Sequence, residues 1–147
     1  MQNIIKKSAC WHIAGIKRIA IAPDTAVSSV QLFNAHTYAI GLNPDNTMGY
    51  IEAKNIEFKS DYTEEKIYEI ETTCDFFTSG AEFEALFNKM KEMRFYVALT
   101  DRNNLIWLLG VGCPLHFKFV HSINKATNQY TLTFWGKSVS PPMKLAQ

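Results

Sequence analysis

An excess of charge of either sign is what this chain most clearly lacks. Lys and Arg number 15 and Asp and Glu 14, for a net charge of +1. That balance argues against a general nucleic-acid binder, and no specific nucleic acid is expected as a partner. Cysteine is scarce: Cys10, Cys74 and Cys113 are odd in number and far apart, which does not suggest a disulfide framework. A reducing compartment is the simpler setting, with each thiol buried as a small apolar group. No apolar run approaches the roughly twenty residues that a membrane span needs, so no membrane partner is expected. The early stretch KKSACWHIAGIKRIAIAP is broken by His12 and by Lys17-Arg18, too soon for a secretory core. Ser8-Ala9-Cys10 resembles a lipoprotein cleavage box, but no apolar segment precedes it. Linkers, repeats and low-complexity stretches are also missing.

What is present is ordinary globular material with an aromatic surplus. The 147 residues fit a single domain over 1–147, with a flexible N-terminal segment over 1–12 and a C-terminal tail over 138–147. Hydrophobic residues make up 47% and charged residues 20%, which excludes wholesale disorder. Phe, Tyr and Trp reach 13%, a share that leans toward pleated, half-buried surfaces. The charges are segregated along the chain. Residues 1–48 carry +2, residues 49–88 carry −7 and residues 89–147 carry +6. Either these charges mix on the folded surface, or an acidic face meets a basic face on a neighbour.

One helix is expected near 80–94. Phe83, Leu86, Phe87, Met90 and Met93 recur at helical spacing, and Ser79 with Glu82 forms a capping box. Glu82 and Glu84 at its start and Lys89, Lys91 and Arg94 near its end suit the helix dipole. Nearly everything else alternates with period two. In KIYEIETTCDFF, Tyr68, Ile70, Cys74 and Phe76 point one way and Glu69, Glu71, Thr73 and Asp75 the other. RFYVALT and LIWLLG flank DRNN as one hairpin, and PLHFKFVHS and QYTLTFWGK flank INKATN as a second. In the second, Leu115, Phe117 and Phe119 can share a face with Tyr130, Leu132 and Phe134. GIKRIAIAP, NAHTYAI and GYIEAKNIEFKS read as further strands, the last two separated by an exposed loop over 41–49. The expected fold is α+β, mainly β: two packed antiparallel sheets of about eight strands, a sandwich or partly open barrel, with one flanking helix.

The stretch GVGCPLHFKFVH concentrates the residues that chemistry would use. Zinc needs three or four converging ligands, and Cys113, His116 and His121 are the best candidates. His116 and His121 lie five apart on one strand, which sends them to opposite faces, and His12 and His36 show no supporting spacing. Cys113 precedes Pro114 without a helix N-terminus to lower its thiol pKa, so a cysteine nucleophile is not indicated. Glu64, Glu65, Glu69, Glu71 and Asp75 could supply an acid and a base, yet the last three occupy a solvated strand face. Gly110 and Gly112 lack a following helix pattern and suit a bend rather than a phosphate loop. Arg102, Asn103 and Asn104 at a hairpin tip could touch a partner. Trp107 and Trp135 read as core or interface anchors. No catalytic constellation converges, and no enzyme, metal or cofactor is expected.

The segment FYVALTDRNNLIWLLG…PLHFKFVHSINKATNQYTLTFWGKSVSPPM resembles small structural proteins encoded by phages and prophages of Bacteroides-type bacteria. Thr100, Asp101, Asn104, Trp107, Gly110, Tyr130, Leu132, Phe134, Gly136 and Pro141-Pro142 carry the likeness, over about fifty residues, and AGIKRIAIAP matches more loosely. DRNN departs from that pattern in lacking a turn glycine. The order of elements is also similar to tail-tube subunits, in which two packed sheets assemble into stacked rings. The resemblance implies a non-enzymatic virion protein whose partners are its own copies in a homo-oligomeric ring and other virion proteins. It also implies a place in the virion, and in the bacterial cytoplasm during assembly. The expected assembly surface comprises Arg102, Asn103, Asn104, His116, Lys118, Glu69, Glu71 and Asp75. A small β-barrel module binding an apolar molecule among its aromatics is the alternative.

Overall fold

The computed structural model describes residues 10–11, 15–34, 37–42, 49–77, 83–123, 128–138 and 143–145. Its strands are β1 (Cys10–Trp11), β2 (Ile16–Pro23), β3 (Val27–Asn34), β4 (Thr37–Leu42), β5 (Gly49–Ile51), β6 (Lys54–Tyr62), β7 (Tyr68–Phe77), β8 (Phe95–Asp101), β9 (Ile106–Leu109), β10 (His116–Ile123), β11 (Asn128–Ser138) and β12 (Met143–Leu145). The only α-helix among the described residues is α1 (Glu84–Met90). The architecture is mainly β: two open antiparallel sheets, each built on four strands, with one short helix.

The first sheet runs β1-β6-β7-β11-β10 and the second β3-β4-β12-β9-β8-β2-β5. β6, β7, β11 and β10 form the body of the first, and β9, β8, β2 and β5 that of the second. In the second sheet β12 lies parallel to β4 and antiparallel to β9. The stretch read as a tail over 138–147 therefore begins inside β11 and supplies a sheet strand. At the other end, Cys10 and Trp11 of the expected flexible segment pair with Asp61 and Ser60. Residues 1–9 and 12 lie outside the described residues.

Alternation explains the core. On β7, Ile70, Thr72 and Cys74 are buried while Glu69 and Glu71 are exposed. The β10–β11 register sets Phe117 opposite Phe134, Phe119 opposite Leu132 and His121 opposite Tyr130, which gives the shared face expected of that hairpin. This face meets Ile19, Val97, Leu99 and Leu109 of the second sheet in a single cluster. β2 and β8 are buried on both sides, because Ala20, Ala22 and Ala98 on their other face are also shielded from solvent.

Three expectations need correction. The helix is two turns rather than four: it spans Glu84–Met90 and then tightens into i→i−3 bonds from Glu92 to Lys89 and from Met93 to Met90. Phe83 has no side-chain cap bond as N-cap, and the Ser79–Glu82 box lies outside the described residues. Phe87 and Met90 are buried but Leu86 is half exposed, since it sits about 100° around the helix from Phe87. GYIEAKNIEFKS is two strands in different sheets, with β5 on β2 and β6 on β7. The split falls at Glu52 and Ala53, followed by a register shift beside Asn55, whose φ is +53°. The strand over VSSVQLFN was not anticipated. The loop over 41–49 lies outside the described residues from 43 to 48.

The two sheets are tied at one corner. Phe95 and Leu115 exchange both backbone hydrogen bonds, at 2.9 and 2.8 Å, linking the start of β8 to the approach of β10. Gly110 and Gly112 supply the turn that brings Leu115 there, with φ of +97° and +79°. A side chain on Gly110 would stand 3.1 Å from the Phe95 carbonyl oxygen, whereas one on Gly112 would meet open space. Gly112→Ala is therefore expected to cost about 1–2 kcal/mol from backbone strain alone. Gly110→Ala should cost at least about 1 kcal/mol more from the added clash. Urea unfolding of the two variants side by side checks this, and equal midpoints would contradict it.

Candidate functional surface

The outer face of the first sheet gathers five of the eight sequence-predicted residues. Register sets them in rows across the strands. Asp61, Glu69 and Lys137 form one row, and Lys59, Glu71, Trp135 and His116 the next. Glu57, Thr73, Thr133 and Lys118 form the third. Acidic side chains thus dominate β7, while Lys118 and Lys137 place positive charge on β10 and β11. The segregation seen along the chain survives on this face as a lateral gradient, and it is blunted by Lys59, which pairs with Asp61 at 3.9 Å. Both partners are well exposed, so that pair contributes little to stability.

Trp135 is the largest aromatic group on this face. It is 41% exposed, its indole stacked against His116 at 4.4 Å and 20°. The Lys118 ammonium lies 5.9 Å from the same ring. Beside it is a pocket of about 280 Å3, lined by Lys59, Asp61, Glu69, Glu71, Trp135 and Lys137 with the backbone-side residues Ile70 and Gly136. Sequence reasoning took Trp135 as an anchor and missed that it borders a pocket. The signal lay in the register, because Trp135 faces Glu71 on one side and His116 on the other.

Asp75 departs from the expectation of a free surface carboxylate. It accepts hydrogen bonds from the Asn55 side-chain amide at 2.8 Å and from the Thr131 hydroxyl at 3.3 Å. The bulge at Asn55 brings that amide over the strand, so Asp75 holds β6 and β11 onto β7. His121 points away from His116, onto Tyr130 at 4.2 Å, with Nε2 2.5 Å from the Asn128 side-chain oxygen. The two histidines thus occupy opposite faces. Among the described residues no group of three or more His, Cys, Asp or Glu could hold a metal ion.

Arg102, Asn103 and Asn104 lie on the second sheet, apart from the other five, at the β8–β9 tip. Asn104 has a φ of +64°, which fills the position where a turn glycine was missed. Its side-chain oxygen accepts a hydrogen bond from Lys17, and Arg102 packs against Gly15. Asp101 organises the tip. Its carboxylate accepts the backbone N–H groups of Asn103 and Leu105 at 2.8 and 3.0 Å and the Trp107 indole N–H at 3.0 Å.

The Trp107 bond holds the Asp101 carboxyl below its ordinary value of 3.8, against the effect of burial and with help from Leu105, Asn103 and Lys17. A depressed folded-state pKa stabilises the fold fully above the unfolded value and loses that contribution as pH falls through the folded one. Stability is therefore expected to decline below about pH 4, and Asp101→Asn should flatten that decline while lowering the melting temperature at neutral pH. Thermal melts from pH 2.5 to pH 7 followed by Trp fluorescence check both.

The expectation that each thiol is buried holds for one of the two whose side chains are described. Cys113 is exposed in the turn, and Cys74 is buried. Burial, then the neighbouring Asp75 charge, pushes the Cys74 thiol up to about 12. Iodoacetamide at pH 8 should label Cys113 in the native protein and spare Cys74 until denaturant is added, as read by peptide mass spectrometry. Native labelling of Cys74 at a comparable rate would contradict the burial argument.

No helix among the described residues is long and apolar enough to cross a membrane. Compared with known proteins, the chain matches no family model, no curated protein and no solved structure. The fold and its surfaces carry the functional argument.

Proposed function

We propose that this chain is a non-enzymatic structural subunit of a phage or prophage particle, of the tail-tube or tail-associated type, that acts by self-assembly into rings. The observation that supports the reading best is the free edge of the first sheet. β10 is the last strand in that sheet and pairs only with β11 along His116–Ile123 among the described residues. Val120 and Ile123 on this edge are 61% and 71% exposed. An eight-residue edge strand with exposed aliphatic side chains and a single lysine is a template for adding another chain. A head-to-tail contact of this kind closes into a ring when its rotation allows.

The lateral charge gradient adds to this reading. A face acidic along β7 and basic along β10 and β11 offers opposite signs to neighbours approaching from opposite sides, which favours one orientation over its reverse. Glu69, Glu71 and Lys118 contribute to it, and His116 lies among them as a polar contact. Arg102, Asn103 and Asn104 would serve a different contact, at the tip of the second sheet.

A second reading, a small module for an apolar molecule, is favoured by a groove of about 420 Å3 between α1 and β5. Ile21, Ile51, Phe76, Phe83 and Met90 line it, with Leu86 among the exposed residues at its side. The sheets are open, so this is a cleft at the side of a sandwich rather than the interior of a closed barrel.

Light scattering and negative-stain electron microscopy at high protein concentration distinguish the two. Assembly predicts defined oligomers or ring-shaped particles, and the double change Val120→Lys with Ile123→Lys should disperse them without altering the circular dichroism spectrum. A strictly monomeric wild-type chain that takes up an apolar fluorophore stoichiometrically would sink the assembly reading and favour the cleft.

A further inference from the structure

The pocket beside Trp135 holds an exposed indole that the charge gradient does not explain. It combines an aromatic face with both signs of charge on a flat, solvated sheet. Trp135 is held in place from the β10 side by His116, and the pocket extends from it toward β7 and β6. The indole is thus oriented before any ligand arrives, which lowers the ordering cost of binding. Its volume of about 280 Å3 sits near the lower end of small-molecule sites, about 300–1,000 Å3. One six-membered ring with its substituents fills such a space.

The polar lining selects the class of ligand. Glu69 and Glu71 offer carboxylate acceptors, and Lys59 and Lys137 offer ammonium donors. A hydroxyl group both donates and accepts, so a ring bearing several hydroxyls can satisfy the two kinds of partner together. With Asp61 the lining holds three carboxylates against two ammonium groups, a net charge of −1, which leaves only a weak field for an ion of either sign. An apolar C–H face laid on the indole would complete the match, because an aromatic ring is an apolar platform with a negative face. A quaternary ammonium ion would use Trp135 and the three carboxylates Asp61, Glu69 and Glu71, but would be opposed by Lys59 and Lys137, and it could not satisfy the ammonium donors.

We infer that this pocket binds a neutral polyhydroxylated ring, a pyranose unit of a glycan, with Trp135 as platform and Glu69, Glu71, Lys59 and Lys137 as hydroxyl partners. The inference shares Glu69 and Glu71 with the charge gradient invoked for assembly, but it does not use the β10 edge that carries that reading. Binding to a single ring is expected to be weak, with a dissociation constant on the order of 1 mM, and tighter for an oligosaccharide that continues along the sheet.

The test is a titration of the full chain with glucose, galactose, mannose and N-acetylglucosamine and with their oligomers, followed by tryptophan fluorescence and saturation-transfer NMR. At least one sugar should bind saturably with a change in the Trp135 signal. Trp135→Ala should abolish that binding, and Glu71→Gln, an exposed change that spares the fold, should weaken it roughly tenfold. Choline chloride serves as the cationic control. The inference is overturned if no sugar in the panel binds at about 10 mM, or if choline binds and the sugars do not. Unchanged sugar affinity in Glu71→Gln and in a Trp135→Ala variant with a native circular dichroism spectrum would overturn it as well.

Discussion

Two backbone hydrogen bonds between Phe95 and Leu115 join the sheets, and much of the remaining architecture follows from them. With that corner fixed, β8 enters the second sheet and β10 enters the first from the same point. Leu115 is fully buried there and lies against Gly136, where a side chain would stand 2.9 Å from its Cδ2. The short GVGCP turn can deliver Leu115 to this position only because Gly110 and Gly112 adopt left-handed conformations. A residue with a Cβ at either place would strain the turn that connects the two layers.

From this corner the interior is filled by rings. Phe95 meets Phe117 and Phe134, and Phe87 of α1 meets Phe76, Phe117, Phe119 and Tyr130. Most of these contacts are tilted or edge-on, the arrangement that aromatic quadrupoles favour. The helix needs only two turns because its task is to insert Phe87 and Met90 at the open side of the sandwich. A single short helix would be marginal by itself and here takes its stability from packing. The consequence for the surface is direct: with most aromatics inward, the outer face of the first sheet is left largely to charge and to Trp135, beside a β10 edge that takes no further strand among the described residues.

Much of the fold was legible in residue order. Both late hairpins, their facing residues and the solvated side of β7 follow from alternation, since a period of two has a single inside once one face is apolar. The bend at Gly110 and Gly112 was also readable. The length of the helix was not, because the apolar stripe from Phe83 to Met93 continues through turns that are no longer α-helical. Nor was the division of GYIEAKNIEFKS, where a change of sheet leaves no mark in polarity. Asn104 replaced the missing turn glycine because a short amide side chain tolerates the left-handed region.

The surface was legible residue by residue but not as a site. Polarity alone marked Glu69, Glu71, His116 and Lys118 as outward, and strand spacing separated His116 from His121. Those conclusions rest on local geometry, which repeats every two residues wherever the chain is extended. Which outward residues become neighbours depends on pairing between strands far apart in sequence. Only the folded sheet set Trp135 between Glu71 and His116, tied Asp75 to Asn55 and Thr131, and sent Arg102, Asn103 and Asn104 to the other layer. Strand order and register are settled by the packing of the whole core, so the composition of a surface site is a tertiary property even when each of its side chains is predictable.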